Sequence, residues 1–421
     1  MISLTRQEKD WVLYDVGNSA FVMLTATVIP IYFKNVAEGT GMSAADSTAY
    51  FGYASSLVTI LAAVLGPVLG AVADIRGFKK PVFACFMGVG VAGCAMLSLP
   101  AGWLLFLGIY VLAKVGYQGS LTFYDSMLGD VTTKERMDQI SAHGYAWGYI
   151  GSCIPFVLSI FLVLWSGPLG LGTHQAMAAV FLLNAAWWFL MTVPLLRSFE
   201  QTCYVERKEH PVRESFARLA GVLSEVKKDR KIFWFLASFF FYIDGVYTII
   251  DMATAYGKDV GISDTDLMLA LLLMQVVAFP CSIVFGILAK QFDSSRLIRI
   301  SILGYLGIVL FAVRMTHAWE FWFLAVCVAV FQGGIQALSR SYYTKIIPKN
   351  QAAEYFGFYD IFGKGAAFMG TLLVGAAAQL SGNSRVGIGL LAVLFLTGYV
   401  LFRRAEREST ESMFDLRQSQ R

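Results

Sequence analysis

Twelve predominantly apolar runs of about 18 residues or more recur along this 421-residue chain, and they decide what it can fold into. A run of that length, rising about 1.5 Å per residue as a helix, crosses a hydrocarbon core of about 30 Å. Lipid offers backbone amides and carbonyls no other partners, so the runs must be helices. They lie at 12 to 33, 51 to 73, 81 to 99, 102 to 124, 144 to 165, 176 to 196, 232 to 254, 267 to 289, 297 to 315, 320 to 340, 355 to 380 and 385 to 402. An all-α membrane protein with twelve transmembrane helices follows. Composition agrees, since 57% hydrophobic and 15% charged residues are out of balance for a soluble chain. The first run contains Asp15 and Asn18 and no small-residue cleavage site, so it is expected to persist as a span rather than leave as a signal peptide.

An even number of spans puts both termini on one side. Of the 33 lysines and arginines, 27 fall in segments on that side or at their edges. Four, Lys34, Lys258, Arg314 and Arg385, fall on the other. The basic excess predicts cytoplasmic termini, in a bacterial inner membrane. It also explains the net charge of +4 without nucleic acid or any other acidic partner. The richest basic loop divides the spans six and six, giving an N-terminal bundle over 1–196, a cytoplasmic linker over 197–231, a C-terminal bundle over 232–402 and a cytoplasmic tail over 403–421. Within the linker Phe216, Leu219, Leu223 and Val226 recur at helical spacing against Arg213, Glu214, Arg218 and Lys227. That pattern fits an amphipathic helix on the membrane face or a solvated linker helix. Six scattered cysteines and four scattered histidines suggest neither a disulfide framework nor a metal site, and no cofactor is expected.

The halves echo each other. Gln118-Gly119 matches Gln332-Gly333 and Gly70 matches Gly286, at offsets of 214 and 216. After the second run comes Gly70-Ala-Val-Ala-Asp74-Ile-Arg76-Gly77-Phe-Lys79-Lys80, which resembles the major facilitator signature GxxxDxxGxKK. Three more stretches are similar to the Atg22-like, or UMF1, family of that superfamily: Trp11 to Phe21, Gln332 to Ser341 and Phe356 to Gly365. The resemblance spans essentially the whole chain. It implies two pseudo-symmetric six-helix bundles, the major facilitator fold, and transport by alternating access. It further implies that Asp74 meets the N-terminus of the eleventh helix, where the dipole favours an anion, and latches the outward-open state. The equivalent stretch in the second half, Gly286 to Arg296, has Lys290 where Asp74 stands, so a second latch of that kind is not expected. Gly88-Val-Gly90-Val-Ala-Gly93 fits GxGxxG, but inside an apolar span it reads as small residues for helix packing. Gly66 with Gly70, and Gly144 with Gly148, read the same way.

Function is sought among the ionisable groups inside the runs, because a lysine at mid-bilayer costs roughly 2.5 to 3.5 kcal/mol and persists where it meets a wet cavity, a counter-ion or a ligand. Lys114 and Lys364 are such lysines. Asp360 lies one turn before Lys364, so an ion pair that merely holds the helix and a site for substrate or proton are both open readings. Lys114 shares a face with Gln118 and Asp125, but Asp125 lies roughly 16 Å along the helix, so the partner must come from elsewhere. Asp244 is the nearest candidate by depth, with Asp251 two turns farther out. Asp15 and Asn18 share a face of the first helix, with Thr25 farther along; Gln332, Gln336 and Ser339 form a polar stripe on the tenth, ending at Arg340. Substrate contact and interhelical bonding are both open for the two glutamines. Lysines and carboxylates at similar depth suit a zwitterion. The substrate and coupling set is therefore Lys114, Gln118, Asp15, Asn18, Asp244, Asp251, Gln332, Gln336, Tyr359, Asp360 and Lys364, with Asp74, Arg76, Asp125 and Arg340 for gating. The expected partners are the lipid bilayer, a small-molecule substrate and, through Asp244, Asp251 or Asp15, protons; a monomer is expected. Export of amphipathic compounds or drugs, and a non-transporting receptor or scaffold, are the alternatives; no nucleophile and base at reacting spacing suggest an enzyme.

Overall fold

A computed structural model describes residues 3–99, 102–206, 226, 229–259 and 261–419, without the side chains of 364–368, 409–419 and a few other helical positions. Among the described residues twelve long helices form: α1 (Arg6–Glu38), α2 (Ala44–Ala73), α3 (Lys79–Met96), α4 (Trp103–Ser126), α5 (Met137–Leu164), α6 (Thr173–Ser198), α7 (Arg230–Asp259), α8 (Asp264–Leu288), α9 (Ser294–Ala312), α10 (Ala318–Ile346), α11 (Ala352–Ser381) and α12 (Ser384–Ser419). Among the described residues eleven are long and apolar enough to cross a membrane. In α11 the apolar helix counted among the described residues is Met369–Ser381.

Several helices begin before their apolar cores, and three of them are capped there by polar side chains. Thr5 caps α1 in a capping box with Glu8, and Ser43 and Ser263 cap α2 and α8. α12 continues as helix to Ser419, through the residues expected to form the tail. Leu24–Val28 in α1 forms a π-turn. The expected amphipathic linker helix lies outside the described residues, apart from Val226.

Two aromatic-rich cores form, one from Trp11 to Phe199 joined by Ala353, the other from Val226 to Ala405. Large apolar side chains such as Ile31, Ile60, Leu104, Leu190, Leu310 and Val400 point outward, as a lipid-facing surface requires. The bundles meet at two seams lined by small residues. At one, a Cβ on Gly70 of α2 would stand 2.5 Å from the Ala353 carbonyl oxygen of α11, and one on Gly357 would stand 2.5 Å from Pro67 N. At the other, a Cβ on Gly286 of α8 would stand 2.7 Å from Ala142 Cβ of α5. The glycines that pair across the halves in sequence thus occupy equivalent places. Glu8 pairs with Arg136, and Arg230 with Glu408, so both chain ends lie at one face, here termed the terminal face.

Candidate functional site

Near the terminal face Arg340 of α10 reaches out of its own bundle into a pocket built by α1, α4 and α5. Its Nη1 donates to Asp125 Oδ1 at 2.8 Å, its Nε to Ser141 Oγ at 2.9 Å and its Nη2 to the Ser141 carbonyl at 3.0 Å. Asp15 Oδ2 stands 3.5 Å from Nη2. The guanidinium lies over the rings of Trp11 and Tyr145, at 4.7 and 4.5 Å. Planarity, three donor nitrogens and a stackable face make arginine the side chain that fills this pocket. Asp15 is held for the task, since Tyr124 OH donates to it at 2.8 Å and Asn18 Nδ2 at 3.3 Å. Gly144 explains how α5 comes so close: a Cβ there would be 2.4 Å from Asp15 Oδ2. The side chain of Arg340 is 2% exposed, so this plug closes the terminal face between the bundles.

Each seam also carries a carboxylate contact between the bundles. At the α2/α11 seam, Asp74 Oδ1 and Oδ2 accept the Ala353 and Glu354 amides, each at 2.9 Å, as a carboxylate capping the N-terminus of α11. Burial pushes the Asp74 carboxyl up to about 6, with Lys79 and those two amides opposing the rise. Lys79 lies fully buried between Asp74, 3.8 Å away, and Asp130, 2.9 Å away. Arg76, expected in the gate, is not in the seam: its side chain, 65% exposed, pairs with Glu206 and lies over Tyr204. At the α5/α8 seam, where no second latch of the Asp74 kind was expected, a contact of different chemistry joins the bundles. Asp138, in the first turn of α5, accepts from Ser341, Ser294 and Lys345 of the opposite bundle. The carboxylate has changed sides, so comparing Lys290 with Asp74 could not reveal it. The signal available in the sequence was Asp138 at one helix start and Lys345 at the end of another.

Farther from the terminal face the polar groups are more open. Lys114 Nζ donates to Thr25 Oγ1 at 3.0 Å, within the π-turn of α1, a kind of distortion frequent at functional sites. It interacts electrostatically with Asp251 of α7, the second of the two carboxylates that depth along the helices suggested. Asp244 faces α11 instead, where its Oδ1 accepts the Gly370 amide at 2.9 Å and the Thr248 hydroxyl at 3.3 Å. It is 0% exposed, and its Oδ2 has no hydrogen-bond partner among the described residues. Asp360 bonds the Thr122 hydroxyl of α4 across the bundles. The side chain of Lys364 lies outside the described residues.

Gln332 Oε1 and the Tyr149 hydroxyl are buried neighbours on α10 and α5, facing each other across the bundles. Gln118, one turn from Lys114, and Gln336, one turn from Arg340, are half-buried. Tyr117, Tyr145, Tyr149 and Tyr247 gather around the centre from both bundles. Tyr359, placed with the substrate set by its motif, lies instead in an aromatic stack, its ring 4.1 Å from Phe239 and 4.9 Å from Tyr343. Trp11, Tyr124, Tyr145 and Ser141 were missed because uncharged side chains in apolar runs look like packing until Arg340 is set among them.

The chain matches the profile of a family described as vacuole effluxer Atg22 like, over residues 5–135 and 129–412. It is 43% identical over 415 residues to the uncharacterized MFS-type transporter YxiO of Bacillus subtilis (strain 168), covering 97% of each chain. It is 24% identical over 303 residues to autophagy-related protein 22 of Yarrowia lipolytica, 64% of this chain and 50% of that one. Among solved structures it superposes on the Fucose:proton symporter FucP of E. coli with a TM-score of 0.70 at 13% identity, covering 95% of this chain and 97% of that one. That likeness shows the fold.

Proposed function

The chain belongs to the Atg22-like family of major facilitator transporters, and from that premise we propose that it carries an amino acid or similar small zwitterion across the membrane by alternating access. One observation carries the substrate reading: Lys114 and Asp251, an ammonium and a carboxylate, come from opposite bundles to the same region above a sealed floor. A zwitterion offers each its complement. Binding it would draw the bundles together on the side away from the termini, which is the motion alternating access needs. Gln332 and Tyr149 supply further polar atoms, and Gln118, Gln336 and Asp360 complete the polar lining.

Proton coupling is the finer part of the proposal. Asp15 and Asp125 share one guanidinium, so the plug holds more negative than positive charge. A proton relieves that excess where the surroundings are dry. Asp244, with an oxygen unfilled, is the second carboxyl for this role and Asp251 the third. The terminal face is assigned to the cytoplasm from the basic excess, in a bacterial inner membrane, and the working unit to one chain. The structure then corresponds to the outward-open state.

Flux of an amino-acid panel into proteoliposomes, with and without a pH gradient, tests this. Uptake should depend on the gradient and fall at least tenfold in Lys114→Met and Asp251→Asn. Indifference to the gradient removes the coupling. Movement of amphipathic dyes and of no zwitterion would replace the substrate class, a reading the four central tyrosines would then support; no flux of any kind would leave a receptor or scaffold.

A further inference from the structure

After α6 the chain does not leave the membrane face directly; residues 199–206 run across the α2/α3 loop that carries Asp74. Gln201 is the first tie, its Oε1 accepting the Gly77 amide at 2.9 Å and its Nε2 donating to the Ala73 carbonyl at 3.2 Å. Both ends of the loop are thereby held by one side chain. Asp130 is the second tie. Its Oδ1 accepts the amides of Thr202 and Cys203, at 2.9 and 2.8 Å, and the Thr202 hydroxyl at 3.0 Å, while its Oδ2 accepts Lys79 Nζ at 2.9 Å. Val205 is the third. Its amide donates to the Asp74 carbonyl at 2.8 Å and its carbonyl accepts the Arg76 amide at 3.1 Å, a two-residue parallel bridge with Ile75.

None of these groups crosses to the other bundle or faces the cavity. What they share is the backbone on either side of Asp74, whose carboxylate must meet two amides of α11 at once. We infer that Gln201, Asp130 and the strap 201–205 are positioning residues for the Asp74 latch, through which the start of the inter-bundle linker sets how firmly the terminal face closes. The inference rests on the alternating-access reading. It gives the linker's first residues a mechanical role: loosening the strap frees the loop, misaims Asp74 and opens the terminal face without touching a substrate group. It also explains why Arg76, aligned with the signature, packs on Tyr204 and Glu206 rather than in the seam.

The test uses full-length protein in nanodiscs carrying Thr344→Cys, a buried position on α10 against Gly129 of the opposite bundle, with alkylation by an impermeant maleimide quantified at residue 344 by peptide mass. Gln201→Ala should speed labelling about fivefold, the order expected for losing a net hydrogen bond. Asp74→Ala should speed it as much or more, and Gln201→Ala should add nothing in the Asp74→Ala background. A purely structural role would give additive effects. If Gln201→Ala does not yield folded protein, Gln201→Glu, which keeps the acceptor for Gly77 and loses the donor, is read by the same criteria. Labelling that responds to Asp74→Ala and not to the Gln201 variant, or that adds in the double variant, overturns the strap. Labelling that responds to neither overturns alternating access at this face.

Discussion

Arg340 works through the number of groups it satisfies at once. A lysine in its place could reach one carboxylate but could not span Ser141 and Asp125 or lie flat between Trp11 and Tyr145. Arg340→Lys is therefore expected to reduce transport at least tenfold despite its charge. Arg340→Ala leaves two buried carboxylates uncompensated, and removing one partner of a buried pair costs roughly 3 to 5 kcal/mol. Thermal melting in detergent should fall in the alanine variant by more than in the lysine one, and equal melting would remove the stacking argument. Gly144→Ala tests the pocket from the other side. Its methyl would need space already held by Asp15 Oδ2, 2.4 Å away, so a loss of roughly 1 to 3 kcal/mol is expected in the same melt. Arg340, Asp125 and Asp15 stand out in the sequence because charge in an apolar run is expensive. Their joining in one plug was not legible, since it depends on how α1, α4, α5 and α10 cross. Lys114 shows the same limit: depth along a helix put Asp244 ahead of Asp251, but rotation about the axis turns Asp244 to α11 and leaves Asp251 in reach.

At the level of elements, periodicity and length are enough to find the helices, because lipid removes every other way of satisfying a backbone. Their ends are set by local caps such as Thr5 and Ser43, which a count of apolar residues does not register. The glycines divide into those a neighbour requires and those it does not. In the discarded GxGxxG run, Gly90 and Gly93 lie against Trp188 and Ala113, at 2.4 and 2.8 Å from a built Cβ, whereas Gly88 has nothing within 4 Å. Packing was the right reading for two of the three. The contrast gives a paired prediction. Gly70→Ala would drive a methyl into the Ala353 carbonyl, a backbone atom with little room to yield, and should open the α2/α11 seam; Gly88→Ala should leave melting and labelling at residue 344 unchanged. Equal behaviour of the two variants would mean that the seam is looser than its distances indicate.

Across the whole molecule, one plug and two carboxylate contacts join the bundles at the terminal face among the described residues, and the two contacts differ in their partners. Asp138 meets a lysine and two hydroxyls, a contact built on its charge. Asp74 meets two amides and the buried Lys79, and its carboxyl stands at about 6, above the ordinary 3.8, because burial outweighs those partners. When the latch opens, Asp74 reaches solvent and its carboxyl returns toward the ordinary value. The state with the higher value takes up a proton first, so acid favours the closed latch. This stabilisation is fully present below the ordinary value and is lost as pH rises through about 6. Between pH 7 and pH 5 the closed form should gain roughly 1.3 kcal/mol, or about tenfold, from this one group. Labelling at residue 344 should slow accordingly on acidification. In Asp74→Asn, which stays neutral, the slowing should vanish and the rate at pH 7 should resemble that of the parent protein at pH 5. Faster labelling in acid would mean that the amides of α11 hold Asp74 as an anion more strongly than burial opposes it.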